Sequence, residues 1–132
     1  MLREISLTMV GPEAACDLPS FVNNAALEYM EYMENGSDIH DFIKRLSQLH
    51  GIAPLSLTRI RIVFYEKFAS VFDPQLESLW NEVDHAFEDP RLQNVKRVEL
   101  VFWGPVDQNE VPTTLAPMLP SSYHRQILYC SS

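Results

Sequence analysis

The chain has 132 residues, a length that suits one domain, and 46% of them are hydrophobic, enough for a core. Asp and Glu number 18 against 10 Lys and Arg, giving a formal net charge of −8. Such a surface repels a phosphate backbone, and the basic residues gather only weakly, at Arg59/Arg61 and Lys96/Arg97, so nucleic acid is not an expected partner.

In chain order, residues 2–10 read as a strand, because Ile5, Leu7 and Met9 alternate with Glu4, Ser6 and Thr8, and Gly11-Pro12 ends it. After a loop over residues 11–20, a short helix is expected from about Phe21 to Met33 with Ser20 as its cap. Its stripe is Phe21, Ala25, Tyr29 and Met33, with Val22, Ala26 and Met30 beside it. Asn35-Gly36 is a turn. A second helix is expected over residues 38–50, capped by Ser37 or Asp38 and carrying Ile39, Phe42, Ile43, Leu46 and Leu49 on one face; Gly51 stops it. A strand over residues 57–65 follows, then a loop whose Phe68, Val71 and Phe72 tuck against the core.

Asp73-Pro74 is a good helix start, since the carboxylate can accept an orphan amide and proline fits the first turn. The helix over residues 74–87 places Leu76, Leu79, Trp80, Val83 and Phe87 on one face and Glu77, Asn81, Asp84 and Glu88 on the wet face. Asp89-Pro90 interrupts it. The stretch 95–103 reads as a strand apolar on both faces, hence central or covered by helices. Beyond Gly104-Pro105 the prolines 112, 117 and 120 suggest an extended covering segment over residues 105–122, and a short last strand is expected near residues 125–130.

Strands alternating with helices predict a single α/β domain: a small, mainly parallel sheet of three or four strands with helices packed on it, joined by right-handed crossovers. Three strands also share a phrase. Leu2-x-x-Ile5-x-Leu7 is repeated as Leu57-x-x-Ile60-x-Ile62 and Val95-x-x-Val98-x-Leu100. This is the strand pattern of leucine-rich repeats, although the starts are 55 and 38 residues apart, against a usual repeat of about 20–29, and the asparagine or cysteine ladder position is missing.

Residues 57–64, 74–92 and 95–100, with Leu79-Trp80-Asn81-Glu82-Val83-Asp84 and Pro90-Arg91-Leu92 among them, resemble the C-terminal part of fungal, mainly mushroom-type, F-box/leucine-rich-repeat-like proteins. The ending Leu119-Pro120 to Tyr123-His124-Arg125-Gln126-Ile127-Leu128 is similar to their closing phrase. The resemblance covers roughly residues 57–128 and implies an irregular leucine-rich-repeat-like fold that serves as a substrate-facing or remnant repeat region. The F-box helices that recruit a ligase scaffold in that family are not recognisable, so ligase recruitment is not implied.

The sequence offers no catalytic set. His40, His50, His85 and His124 have no metal-ligand spacing, and Cys16 and Cys130 lie in no motif. No serine sits in a Gly-x-Ser-x-Gly setting, and the four glycines are isolated, so no phosphate loop exists. No metal or cofactor is expected. Glu77, Asp84 and Glu88 read as a solvated helix face.

The surface candidates are aromatic and soft: Tyr29, Met30, Tyr32 and Met33, with Tyr65 and Trp103 at the C-terminal ends of two strands, where α/β sheets often bind ligands. No uncharged stretch is long enough for a membrane span and no secretory start is evident, so an intracellular, cytoplasmic setting with reduced thiols is expected. The leading expectation is therefore a non-catalytic, cytoplasmic protein-interaction module, with an exposed sheet edge that could pair into a homodimer. The competing expectation is a small enzyme or ligand-binding protein whose pocket carries Tyr65, Glu66, Trp103 and Asp107. A third is a remnant stable only with a partner.

Overall fold

A computed structural model describes residues 4–10, 27–35, 38–51 and 53–132. Five strands, β1 (Glu4–Val10), β2 (Tyr29–Asn35), β3 (Arg59–Val63), β4 (Arg97–Val101) and β5 (Leu128–Ser131), form one sheet. Its order is the chain order, and every neighbouring pair is parallel. The α/β class and the parallel sheet are as expected; the strands number five rather than three or four.

β2 is the main correction. The segment expected to be the end of a helix over residues 21–33 is a strand from Tyr29 onward, and residues 21–26 of that expected helix lie outside the described residues. The i, i+4 spacing of Tyr29 and Met33 satisfies a helix, but the same residues fit the strand period. Met30 and Tyr32 point into the core while Tyr29 and Met33 point away from it. The register fixes this parity, with Met30 opposite Ile60 and Tyr32 opposite Ile62.

The helices are α1 (Ile39–Leu46), α2 (Phe68–Val71), α3 (Glu77–Phe87), α4 (Val111–Met118) and α5 (Pro120–His124). α1 starts at Asp38, whose carboxylate accepts from the His40 amide at 2.8 Å, and Lys44 and Arg45 sit in its last turn, where the helix dipole favours cations. It ends at Leu46, four residues before the expected limit, and a 3₁₀ turn over Leu49–Gly51 follows. Asp73 caps as expected, accepting from the Gln75 amide at 2.8 Å, but the first turn, Pro74–Leu76, is 3₁₀.

Residues 105–122 are not an extended cover: they contain α4 and α5. Proline is compatible here because Pro112 and Pro120 lie in first turns, whose amides have no partner inside the helix, and Pro117 lies next to the end of α4. The expected loop over residues 66–73 contains α2, and its Phe68, Val71 and Phe72 are buried as expected.

One face of the sheet carries the core. Ile60 and Ile62 of β3 and Val98 and Leu100 of β4 are buried there, with Phe64 and Phe102 just beyond the strand ends. Phe64 is the hub: its ring lies 5.4 Å from Phe42 of α1, 6.1 Å from Trp80 of α3 and 5.2 Å from Phe102. Trp80 is wholly buried and its indole N–H donates to the Val71 carbonyl at 2.9 Å, so the largest core side chain leaves no polar atom unpaired. Parallel neighbours in chain order need their crossovers on a single side when all have the same hand. The burial of only one strand face agrees with that.

Candidate functional site

The opposite face of the sheet is the feature with functional content. It presents Tyr29, Glu31 and Met33 of β2, Arg59, Arg61 and Val63 of β3, and Arg97, Glu99 and Val101 of β4, with Tyr129 of β5 alongside. All of these are half-buried or exposed, and no described helix packs over them. The stretch 95–103 was expected to be central or covered by helices; β4 is an interior strand paired with β3 and β5, and its outer face is open. Val101 is only partly buried and Trp103 is 64% exposed.

The face has an internal order set by register. Tyr29, Arg59 and Arg97 are opposite one another, as are Glu31, Arg61, Glu99 and Tyr129, and then Met33, Val63, Val101 and Ser131. Charged and aromatic groups thus occupy the N-terminal half and an apolar row the C-terminal half. Tyr65 and Trp103 come two residues after Val63 and Val101, beyond the strand ends, and are 48% and 64% exposed. Their backbones are joined, the Trp103 amide donating to the Glu66 carbonyl at 3.0 Å.

Side chains link the strands in the charged half. Arg59 lies 4.6 Å from the Tyr29 ring centroid and Arg97 lies 4.1 Å from that of Tyr129. Both arginines donate through Nε to the same Glu99 Oε1, at 2.9 and 2.7 Å. Burial pushes the Glu99 carboxyl up, but the hydrogen bonds and positive charge of Arg97 and Arg59 outweigh it and hold the group below its ordinary value. Arg61 is served less well. Its Nε is 3.6 Å from Glu31 Oε2, an ion pair too long for a hydrogen bond, and that buried atom has no hydrogen-bond partner. Glu31 in turn accepts from the Tyr29 hydroxyl at 3.3 Å.

The six aromatic and methionine candidates divide. Tyr29 and Met33 lie on the open face, and Tyr65 and Trp103 are exposed at the ends of β3 and β4. Met30 and Tyr32 are at 0% and 1% exposure in the core, so they are packing residues and not surface. Burial pushes the Tyr32 phenol up to about 12. The arginines and Glu99 were absent from the candidate set. Their signal was the repeated Arg-x-Glu/Arg alternation on strands already recognised, which places charge on one face of adjacent strands.

Shallow grooves flank this face. One, of about 520 Å³, is lined by Glu4, Glu28, Tyr29, Thr58 and Arg59; another, of about 640 Å³, lies by β5 and includes Tyr123, His124, Leu128 and Tyr129. A third, of about 420 Å³, lies away from this face, on the helix side, between Glu88 and the start of α5. None is lined by Tyr65, Glu66, Trp103 or Asp107. Among the described residues no group of three or more His, Cys, Asp or Glu side chains could hold a metal ion, and no helix is long and apolar enough to cross a membrane.

Asp84 also departs from expectation. It is 4% exposed rather than on a wet face, and its carboxylate accepts from the Ser121 and Ser122 amides at 3.0 and 2.8 Å. It is the clamp between α3 and α5, a structural duty. Comparison of the chain with protein-family models, with curated proteins and with solved structures finds no match in any of the three.

Proposed function

We propose that the chain is a non-catalytic protein-interaction module of leucine-rich-repeat-like α/β architecture, and that it binds through the open face of its sheet. The observation that carries this is the arrangement of that face: preordered Arg and Tyr side chains lead into the apolar row Met33, Val63 and Val101, with exposed Trp103 beyond. Arginine and large aromatic residues are the groups that most often dominate binding energy at protein interfaces.

The repeat-like part of the proposal rests on the recurring strand phrase, while of the strand-to-strand spacings only the first falls within the roughly 20–29 residues of a leucine-rich repeat. The strands begin at Glu4, Tyr29, Arg59, Arg97 and Leu128, so successive starts are 25, 30, 38 and 31 residues apart. The 55-residue gap between the first two phrases is divided by β2. Its own phrase, Leu27-x-x-Met30-x-Tyr32-x-x-Asn35, carries the asparagine that the other strands lack. Kinship with the C-terminal region of the fungal F-box/leucine-rich-repeat-like proteins, and a cytoplasmic setting, belong to the same proposal.

The test is selection of a displayed random-peptide library against the protein, followed by titration of the selected peptides with the wild type and with Val63→Asp. The proposal expects the variant to stay folded and to bind at least tenfold more weakly. Peptides that bind both proteins equally would refute the assignment of the face. Homodimerisation is a second reading, favoured by the position of β1 and β5 at the two sides of the sheet. Light scattering across a concentration series tests it, a concentration-independent monomer being the result against it.

A further inference from the structure

We infer that the partner segment taken by the open face is acidic: a protein strand or loop that places an Asp or Glu carboxylate against Arg61 and Arg97, next to an apolar side chain over Val63 and Val101. The inference rests on the docking reading above and adds the chemistry of the occupant.

The argument is a surplus of oriented donors. Arg59, Arg61 and Arg97 have side chains 47%, 39% and 49% exposed, and they share the acceptors of Glu31 and Glu99. Arg59 and Arg97 both use Nε on a single oxygen, and neither has a hydrogen bond from its terminal nitrogens among the described residues. Arg61 Nε makes no hydrogen bond but is buried, so it is the rest of the Arg61 side chain, 39% exposed, that a carboxylate can meet. A guanidinium presents a planar fork of donors that matches a carboxylate two-to-two. The rings of Tyr29 and Tyr129 hold two of these forks from beneath, so little freedom is lost when a carboxylate arrives.

Charge distribution supports the same occupant. Three of the 10 basic residues stand on this face, while the chain as a whole is at −8. On β2–β4 the three arginines outnumber the face's carboxylates, Glu31 and Glu99, by one, and Glu4 stands apart at the β1 edge, so the middle of the face keeps one formal positive charge. One or two carboxylates on an otherwise apolar segment are compatible with the acidic remainder of the surface; a polyphosphate strand is repelled along its length.

The experiment uses the full chain and a displayed library of random 12-residue peptides. Selected peptides are made synthetically and titrated by fluorescence, Trp103 being exposed and Trp80 buried. The inference expects Asp or Glu beside an apolar residue in the selected set. It also expects a loss of tenfold or more when that residue becomes Asn or Gln, a similar loss in Arg61→Gln and Arg97→Gln, and weakening with added salt. The peptide substitution leaves the protein untouched, so the inference stays testable if an arginine variant fails to fold.

Peptides with no acidic requirement would overturn the inference while leaving the docking face standing if Val63→Asp still weakens them. Peptides indifferent to Val63→Asp, or no selected peptide at all, would overturn both. Competition by a 20-residue single-stranded RNA at matching concentration would overturn it in favour of a phosphate backbone. A dimer that dissociates in Val63→Asp would overturn it in favour of a second copy of this chain.

Discussion

The Arg97 guanidinium lies 4.1 Å from the centroid of the Tyr129 ring, joining β4 to the last strand of the sheet on its open face. The same guanidinium donates to Glu99, which also accepts from Arg59, which in turn lies over Tyr29. Five side chains from four strands thus form one line across the sheet. Each cation–π contact at such an exposure is worth only about 0.5–1 kcal/mol. The consequence is order, not strength: the arginines are held in place before any partner arrives.

Glu99 is the shared acceptor, so its removal has a distinctive pH signature. A carboxyl held below its ordinary value of 4.5 stabilises the fold fully above that value, and the stabilisation is lost as the pH falls through its lower folded value. Both arginines are about half exposed and screened by solvent, so Glu99→Gln should cost only about 1 kcal/mol at neutral pH. Urea melts of the two proteins should differ by a constant amount from pH 7 down to about 5.5 and converge below pH 4.5. A gap that widens in acid would contradict the pairing.

Asp84 gives a larger effect from a less conspicuous place. It is buried, and its two oxygens hold the first amides of α5. Asp84→Ala should lower the unfolding free energy by about 2–3 kcal/mol, the range for hydrogen bonds to a charged group. Equal midpoints in chemical denaturation would show that α5 does not depend on it.

Cys130 lies on the inward side of β5, and burial pushes its thiol up to about 12. At pH 8 it is therefore neutral and a poor nucleophile. Iodoacetamide should leave the native Cys130 peptide unmodified at that pH and label it after unfolding, as read by mass spectrometry. Rapid native labelling would mean that β5 is open.

The two methionines of β2 separate the observed strand from the expected helix. A helix would put Met30 and Met33 on neighbouring parts of one buried stripe; the strand buries Met30 and leaves Met33 on the open face. Met30→Lys should abolish cooperative folding and Met33→Lys should leave the melting temperature within a few degrees. Equal damage from both would favour the helix.

That segment also explains what could be read from the sequence and what could not. β3, β4 and α3 were legible because their apolar residues fit a single period and their ends carry clear stops, such as Asp73-Pro74 and Asp89-Pro90. β2 was not, because Tyr29-Met30-Glu31-Tyr32-Met33-Glu34 has apolar residues at both helical and strand intervals, and Met and Glu favour helices locally. Pairing with β1 and β3 on both sides decides the matter, and that is a tertiary effect.

The prolines of α4 and α5 misled in the opposite direction: Pro112 and Pro120 lie in first turns, where the cost is small, while Pro117 lies inside α4, one residue before its last. Of the site, Tyr65 and Trp103 were readable as strand-end aromatics. The Arg59–Glu99–Arg97 line needed the order of the strands, which no spacing within one strand reveals.

Ile62 and Val63 are adjacent in β3, yet Ile62 lies in the core and Val63 on the open face. The most direct measurement is a pair of thermal melts, Ile62→Asp and Val63→Asp, followed by circular dichroism. Ile62→Asp should lose cooperative folding, because a buried carboxylate has no partner there, while Val63→Asp should keep the wild-type spectrum and melt within a few degrees of it. Loss of folding in both, or in Val63→Asp alone, would contradict an open binding face.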